Sequence, residues 1–237
     1  MRIVLAGPPK TGNVWIENII ARIYDLEILR PPNAPAGKDA CFRQFVETGM
    51  FKNRSIFHQH FLPTDDFLSI TESINCQIIS AIRDPYDTFV SLYFYIQRFG
   101  EDYIKARDPN ATAIGKPIDH PDVLCLLKHS YRENLLLGVE WIDSGKSLII
   151  RYEDLHNDPL TTMRKVTDQI DPVDDTRIWD SISACDAQLL RAKDEGFAKH
   201  IRVAKAGDWR NHLGEVHLEI FRTHYSDLIE RLGYDVL

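Results

Sequence analysis

The chain has 237 residues, a formal net charge of −7 and 44% hydrophobic residues. That length and balance suit one large globular domain, residues 1–237, with a sizeable core. The acidic balance argues against broad nucleic-acid or anionic-membrane binding, so any phosphate site must come from a local cluster of basic groups.

The apolar run Ile3-Val4-Leu5-Ala6 ends at Gly7-Pro8-Pro9. It is too short for a signal peptide or a membrane span, so a cytoplasmic location is expected. Cys41, Cys76, Cys125 and Cys185 are scattered, without a C-x-x-C pair or histidines at zinc-finger spacing. Reduced structural thiols and no metal are the expectation.

A strand at residues 3–6, the loop Gly7-Pro8-Pro9-Lys10-Thr11-Gly12 and a helix over residues 13–24 follow in order, the helix carried by Trp15, Ile16, Ile19, Ile20 and Ile23 at helical spacing. Such a loop aims backbone N–H groups and a helix dipole at one spot, which suits an anion, and Lys10 adds a full charge. The Walker pattern is absent, because the lysine precedes the glycine and no Ser or Thr holds the magnesium position. The loop by itself is equally compatible with a plain βα turn.

Residues 30–37, with three prolines, read as an irregular segment that rims an opening. A weaker helix over 39–50 and a short strand over 55–58 lead to His58-Gln59-His60. The apolar run 77–82 predicts a strand buried on both faces. It ends at Arg83, and Asp84-Pro85 supplies a cap and a first-turn proline for a helix carrying Phe89, Val90, Leu92, Tyr93 and Tyr95. Residues 101–122 read as a long loop or lid. A helix over 121–143, a strand over 147–152 and helices over 160–169, 176–184 and 214–232 complete the chain, with an irregular basic segment at 199–210. Strands alternating with helices imply an α/β fold, a parallel sheet between two helical layers. In such sheets ligands bind at the carboxyl ends of the strands, where Lys10, His60, Arg83 and Tyr152 fall.

These loops, in this order, resemble the cytosolic-type sulfotransferases that use 3'-phosphoadenosine 5'-phosphosulfate (PAPS), with a P-loop NTPase-like fold that lacks the NTPase motif. Pro9-Lys10-Thr11-Gly12-Asn13-Val14-Trp15 resembles the family's 5'-phosphosulfate loop, Pro-Lys-Ser-Gly-Thr-Thr-Trp. The resemblance implies that Lys10, Thr11, Gly12, Asn13 and Val14 hold the phosphosulfate and that Trp15 stacks on adenine. Asn13 and Val14 replace two threonines, so Val14 offers only its backbone N–H. Arg83 and Ser91, eight residues apart, resemble the 3'-phosphate motif. Ser91 falls about two turns into its helix, within reach of a phosphate that Arg83 forks. The other reading of Arg83 is a pairing with Asp84 or Asp87.

Tyr152, in Arg151-Tyr152-Glu153-Asp154, matches the tyrosine at the adenine end, with Glu153 and Asp154 in capping or loop-ordering roles. Arg202-Val203-Ala204-Lys205-Ala206-Gly207-Asp208-Trp209 resembles the late loop over the 3'-phosphate, although Val203 and Ala204 replace a lysine and a glycine. His60-Phe61-Leu62-Pro63 resembles the segment carrying the catalytic base. His60 is preferred over His58, which stands where the family often has lysine. The implied reaction moves a sulfuryl group from PAPS to a hydroxyl or amine of a small-molecule acceptor and leaves adenosine 3',5'-bisphosphate (PAP), with Lys10 and helix N–H groups in place of magnesium. The acceptor's identity is not legible. Two rivals stay open, a P-loop nucleotide kinase and a non-catalytic nucleotide-binding module. The family's usual dimerisation pattern is missing, which leaves the oligomeric state open.

Overall fold

A computed structural model describes residues 1–29, 38–185 and 205–237. Five parallel strands form one sheet: β1 (Arg2–Ala6), β2 (Glu27–Leu29), β3 (Ser55–Gln59), β4 (Cys76–Ile82) and β5 (Leu148–Arg151), in the order β2-β3-β1-β4-β5. Central β1 pairs Val4 with Phe57 of β3 on one side and with Ile78 of β4 on the other. Its alternation explains the layers. Ile3 and Leu5 pack with Ile16, Ile19, Met163 and Ile178, while Val4 and Ala6 pack with Phe42, Phe57, Phe67 and Trp141. Side chains two apart on a strand share a face. One face is therefore covered by α1 (Asn13–Tyr24), α9 (Pro159–Ile170) and α10 (Asp175–Ala184), and the other by α2 (Asp39–Glu47), α3 (Asp65–Ser73) and α7 (Tyr131–Ser144). The expected α/β sandwich forms.

Beyond β4, a second apolar body joins α4 (Pro85–Arg98), α6 (Pro121–Lys128), α7 and α11 (Glu215–Arg231) around Phe89, Tyr131, Phe221 and Tyr225. The Asp84 carboxylate caps α4 by accepting from the Asp87 N–H at 3.0 Å, with Pro85 in the first turn. Among the described residues the remaining α-helices are α5 (Gly100–Ala106) and α8 (Tyr152–Asn157).

Four expectations change. The stretch read as a loop over 101–122 contains α5 and a 3-10 turn, Pro109–Ala113. Gln97 of α4 ties that turn down, donating to the Ala113 carbonyl at 2.8 Å and accepting from the Gly115 N–H at 2.7 Å. The predicted helix over 121–143 breaks at His129 and Ser130 into α6 and α7, and the Tyr131 hydroxyl donates to the Pro85 carbonyl at 2.6 Å. Tyr152 opens α8 and does not end β5. Among the elements that went unpredicted are β2, three residues long, and α3, whose Thr64 side chain accepts from the Phe67 N–H at 3.1 Å. The expectations for residues 30–37 lie outside the described residues.

Among the described residues no helix is long and apolar enough to cross a membrane, and Cys41, Cys76, Cys125 and Cys185 are all free thiols. Burial pushes the Cys76 thiol up to about 12, as befits an inert structural sulfur.

Candidate active site

The loop between β1 and α1 is braced from within. Thr11 Oγ1 donates to the Pro8 carbonyl at 2.9 Å, and Asn13 Nδ2 donates to the same oxygen at 2.9 Å. The side-chain donor of Asn13 thus holds the loop's shape. Gly12 caps α1 with φ 95° and no side-chain cap, so backbone alone closes the positive end of the helix dipole. A Cβ at Gly12 would lie 2.8 Å from Cδ2 of Tyr152. Glycine is needed there for both its conformation and its size.

Lys10, at φ 71°, sets its ammonium 4.0 Å from the centre of the Tyr95 ring on α4. Burial, then repulsion from Arg83 and Arg98, lowers its pKa to about 8. Among the described residues no carboxylate pairs with it. His60 follows β3, and its Nδ1 lies 2.7 Å from the Gly7 carbonyl. A carbonyl only accepts, so Nδ1 carries the proton and Nε2 the lone pair. Burial, with repulsion from His58 and Lys10, pushes the imidazole down to about 4 despite the Gly7 bond. His58, inside β3, bonds instead to Glu17 of α1, Nδ1 to Oε1 at 3.0 Å.

At the end of β4, Arg83 spreads its guanidinium 4.1 Å over the Tyr152 ring and donates through Nη2 to the Lys205 carbonyl at 2.9 Å. Asp87 Oδ2 lies 3.7 Å from Nη2, which realises the alternative pairing weighed for this arginine. Nε of Arg83 and Nε1 of Trp15 are both buried without a partner among the described residues. Trp15 meets Tyr152 edge-on at 5.9 Å. Asp87 also accepts from the N–H groups of Gly207, at 2.6 Å, and Trp209, at 2.9 Å. That ties the late loop to α4.

Residues 1–233 match the family model for the sulfotransferase domain. This chain belongs to that family. Sulfotransferase 1E1 of Bos taurus is 21% identical to it over 264 residues, 94% of this chain and 82% of that protein. The structure of mouse sulfotransferase SULT7A1 complexed with PAP superposes with a TM-score of 0.71 at 19% identity, over 96% of this chain and 83% of that one. Retinol dehydratase in complex with androsterone and inactive cofactor PAP gives 0.62 at 14% identity, over 100% and 82%. At these identities the solved structures speak for a shared fold.

In this sulfotransferase domain Lys10, Thr11, Gly12, Asn13, Val14 and Trp15 line the β1–α1 turn, with His60, Arg83 and Tyr152 at the carboxyl ends of neighbouring strands. Ser91 is half-buried within α4. Arg202, Val203 and Ala204 lie outside the described residues. Glu153 has the ordering role expected of it, accepting from the Asp84 N–H at 2.9 Å and from the Tyr234 hydroxyl at 2.7 Å. Glu17 was missed. Its signal is a charged residue inside the apolar face of α1, between Ile16 and Ile19. The contact of Tyr95 with Lys10 had no sequence signal, because it joins a loop to a helix across the sheet edge.

Proposed function

We propose that this sulfotransferase domain, acting as one unit over residues 1–237, transfers the sulfuryl group of PAPS to a hydroxyl or amine of a small-molecule acceptor and releases PAP. When bound, PAPS supplies sulfur already attached to a good leaving group, a phosphate oxygen. The residues present fit it. A buried arginine and a buried indole each keep an N–H without a partner among the described residues, and backbone alone, without a side-chain cap, closes the N-terminal end of α1 at Gly12.

The observation that carries the reading is the convergence of Lys10, His60 and Arg83 on the carboxyl edge of three adjoining strands, with His60 bonded to the loop that bears Lys10. His60 Nε2 takes the acceptor's proton as the acceptor oxygen or nitrogen bonds to sulfur. Lys10 stabilises the phosphate oxygen that receives the electron pair of the broken sulfur–oxygen bond, a preorganised contribution of about 3–4 kcal/mol in comparable sites. Negative charge brought to the loop offsets the repulsion from Lys10 and raises the basicity of His60. Arg83, with Ser91, holds the 3'-phosphate, and Trp15 and Tyr152 face the adenine. Arg202, Val203 and Ala204 complete the 3'-phosphate grip through the late loop. Tyr95 of α4, beside Lys10, borders the acceptor side, and a cytosolic setting agrees with the free thiols.

The test is transfer of radiolabelled sulfate from PAPS to pooled alcohols, phenols and amines. Labelled product supports the proposal. Tight PAP binding with no transfer to any pool would favour a binding module, and ATP turnover without PAPS dependence would favour a kinase.

A further inference from the structure

Two contacts place Arg83 at the turn after β4. Its guanidinium lies 4.1 Å over the Tyr152 ring, and the next backbone N–H, that of Asp84, donates to Glu153 Oε1 at 2.9 Å. A carboxylate in the first turn of a helix is ordinary, because the helix dipole favours it. Glu153 also bridges two other elements, since its second oxygen, Oε2, accepts from the Tyr234 hydroxyl at 2.7 Å. Burial, and then the Glu153 carboxylate, hold the Tyr234 phenol above the usual tyrosine range, so the hydroxyl keeps the proton it donates.

Tyr234 lies in the segment 232–237 that follows α11, and this segment reaches Arg83 by a second route. The Tyr234 ring lies 5.2 Å from the Arg151 guanidinium, and Arg151 Nη2 donates to the Leu232 carbonyl at 2.9 Å. Arg151 ends β5 and immediately precedes Tyr152. The contacts therefore close a circuit: Arg83 lies on Tyr152, Arg151 against Tyr234, Tyr234 on Glu153 and Glu153 on Asp84, with the peptide chain joining the rest. Leu232 and Arg83 also line one small cavity, together with Pro8 and Thr11 of the β1–α1 loop. The Leu237 N–H donates to the Tyr86 hydroxyl of α4 at 3.0 Å. A long arginine side chain has many rotamers, and its planar fork is useful only where the surroundings select one.

We infer that Tyr234 and Glu153 are positioning residues for the 3'-phosphate grip, acting through the Asp84 backbone and the Arg151–Tyr152 pair to set the guanidinium of Arg83. Neither is assigned a contact with the nucleotide. The segment after α11 thereby becomes part of the apparatus that distinguishes a 3'-phosphorylated nucleotide from one without that group. The inference rests on the PAPS reading, in which Arg83 holds the 3'-phosphate.

PAP and adenosine 5'-monophosphate (AMP) differ by the 3'-phosphate alone, and that gives the test. Calorimetry on the whole protein compares the two ligands in wild type, Tyr234→Phe, Glu153→Gln and Glu153→Ala. Tyr234→Phe keeps the ring against Arg151 and removes only the hydroxyl. It is expected to weaken PAP about tenfold, the scale of one hydrogen bond to a charged group, and AMP less than about twofold. KM for PAPS should rise about tenfold as well, with kcat at saturation changed less than about twofold, because the reacting groups are untouched. Glu153→Gln can accept from the Asp84 N–H through its amide oxygen and donate to the Tyr234 oxygen through its nitrogen, so it should keep most of the PAP affinity. Adding Tyr234→Phe to Glu153→Ala should cost no further affinity, since both remove the same link. If Glu153→Ala does not fold, Tyr234→Phe and Glu153→Gln still decide. Equal weakening of PAP and AMP, or no change in either, overturns the inference and leaves the PAPS reading intact. A wild type that binds PAP no better than AMP overturns the inference together with the 3'-phosphate role of Arg83, and one that binds neither overturns the PAPS reading as well.

Discussion

His60 Nδ1 and the Gly7 carbonyl, 53 residues apart in the chain, are joined by a 2.7 Å hydrogen bond. It couples the imidazole at the end of β3 to the loop that leaves β1. The same bond sets the tautomer, so the lone pair sits on Nε2 before any ligand arrives.

His60→Ala is therefore expected to lower kcat by about 10²- to 10⁴-fold and to leave PAP affinity within a few-fold, measured by transfer assay and calorimetry. The imidazole is neutral above about 4 in the free protein. The acid limb of kcat/KM should accordingly fall as pH drops through about 4, well below the usual histidine range. The linkage has the same sign for stability. The unfolded chain binds a proton at this histidine near its ordinary 6.5 while the folded protein resists it, so stability declines from about 6.5 down to about 4.

Lys10 gives the opposite limb. Its pKa of about 8 means that the charge is present below that value and is lost as pH rises through it. PAPS affinity should fall above about pH 8 in the wild type and be low and flat across that range in Lys10→Ala. Tyr95→Phe keeps the ring face over which the ammonium lies, whereas Tyr95→Leu removes an interaction worth about 0.5–2 kcal/mol, so only the leucine variant should move the alkaline limb. In the proposed function Lys10 and the helix end carry the anion, so transfer should continue in EDTA. An absolute magnesium requirement would contradict that.

Asp87 is buried and holds two backbone N–H groups of the late loop, with Arg83 beside it. Asp87→Ala leaves those donors unpaired and is expected to cost about 2–4 kcal/mol in urea unfolding. PAP affinity should drop with it, because the 205–209 segment and Arg83 lose their common anchor. Arg83→Ala should weaken PAP with a smaller effect on kcat at saturation.

Gly12→Ala separates steric from conformational cost. At φ 95° the new Cβ would press on Tyr152 at 2.8 Å, while Gly49, at φ 70°, has nothing within 4 Å. Gly49→Ala should cost about 1 kcal/mol from backbone strain alone. Gly12→Ala should cost more and should also displace the Tyr152 ring, read as a loss of PAP affinity.

Local signals made much of this fold legible. The bounds of α1, the apolar run of β4 and the Asp84-Pro85 opening of α4 each rest on residues adjacent in the chain, and each forms as read. The ordering of loops along the chain likewise brought Lys10, His60, Arg83 and Tyr152 into consideration together. The 3-10 turn within 101–122 escaped notice because its support comes from Gln97 on another element and not from its own periodicity. The partner of each polar group was a matter for the folded sheet. Strand order and register bring Glu17 to His58 and Gly7 to His60, and the α4 end carries Asp87 to Gly207 and Trp209, 120 and 122 residues away. A linear pattern encodes propensity and burial face, while a hydrogen bond depends on where two separate elements come to rest. That is why the residue types of the site could be named from the chain, but their pairings could not.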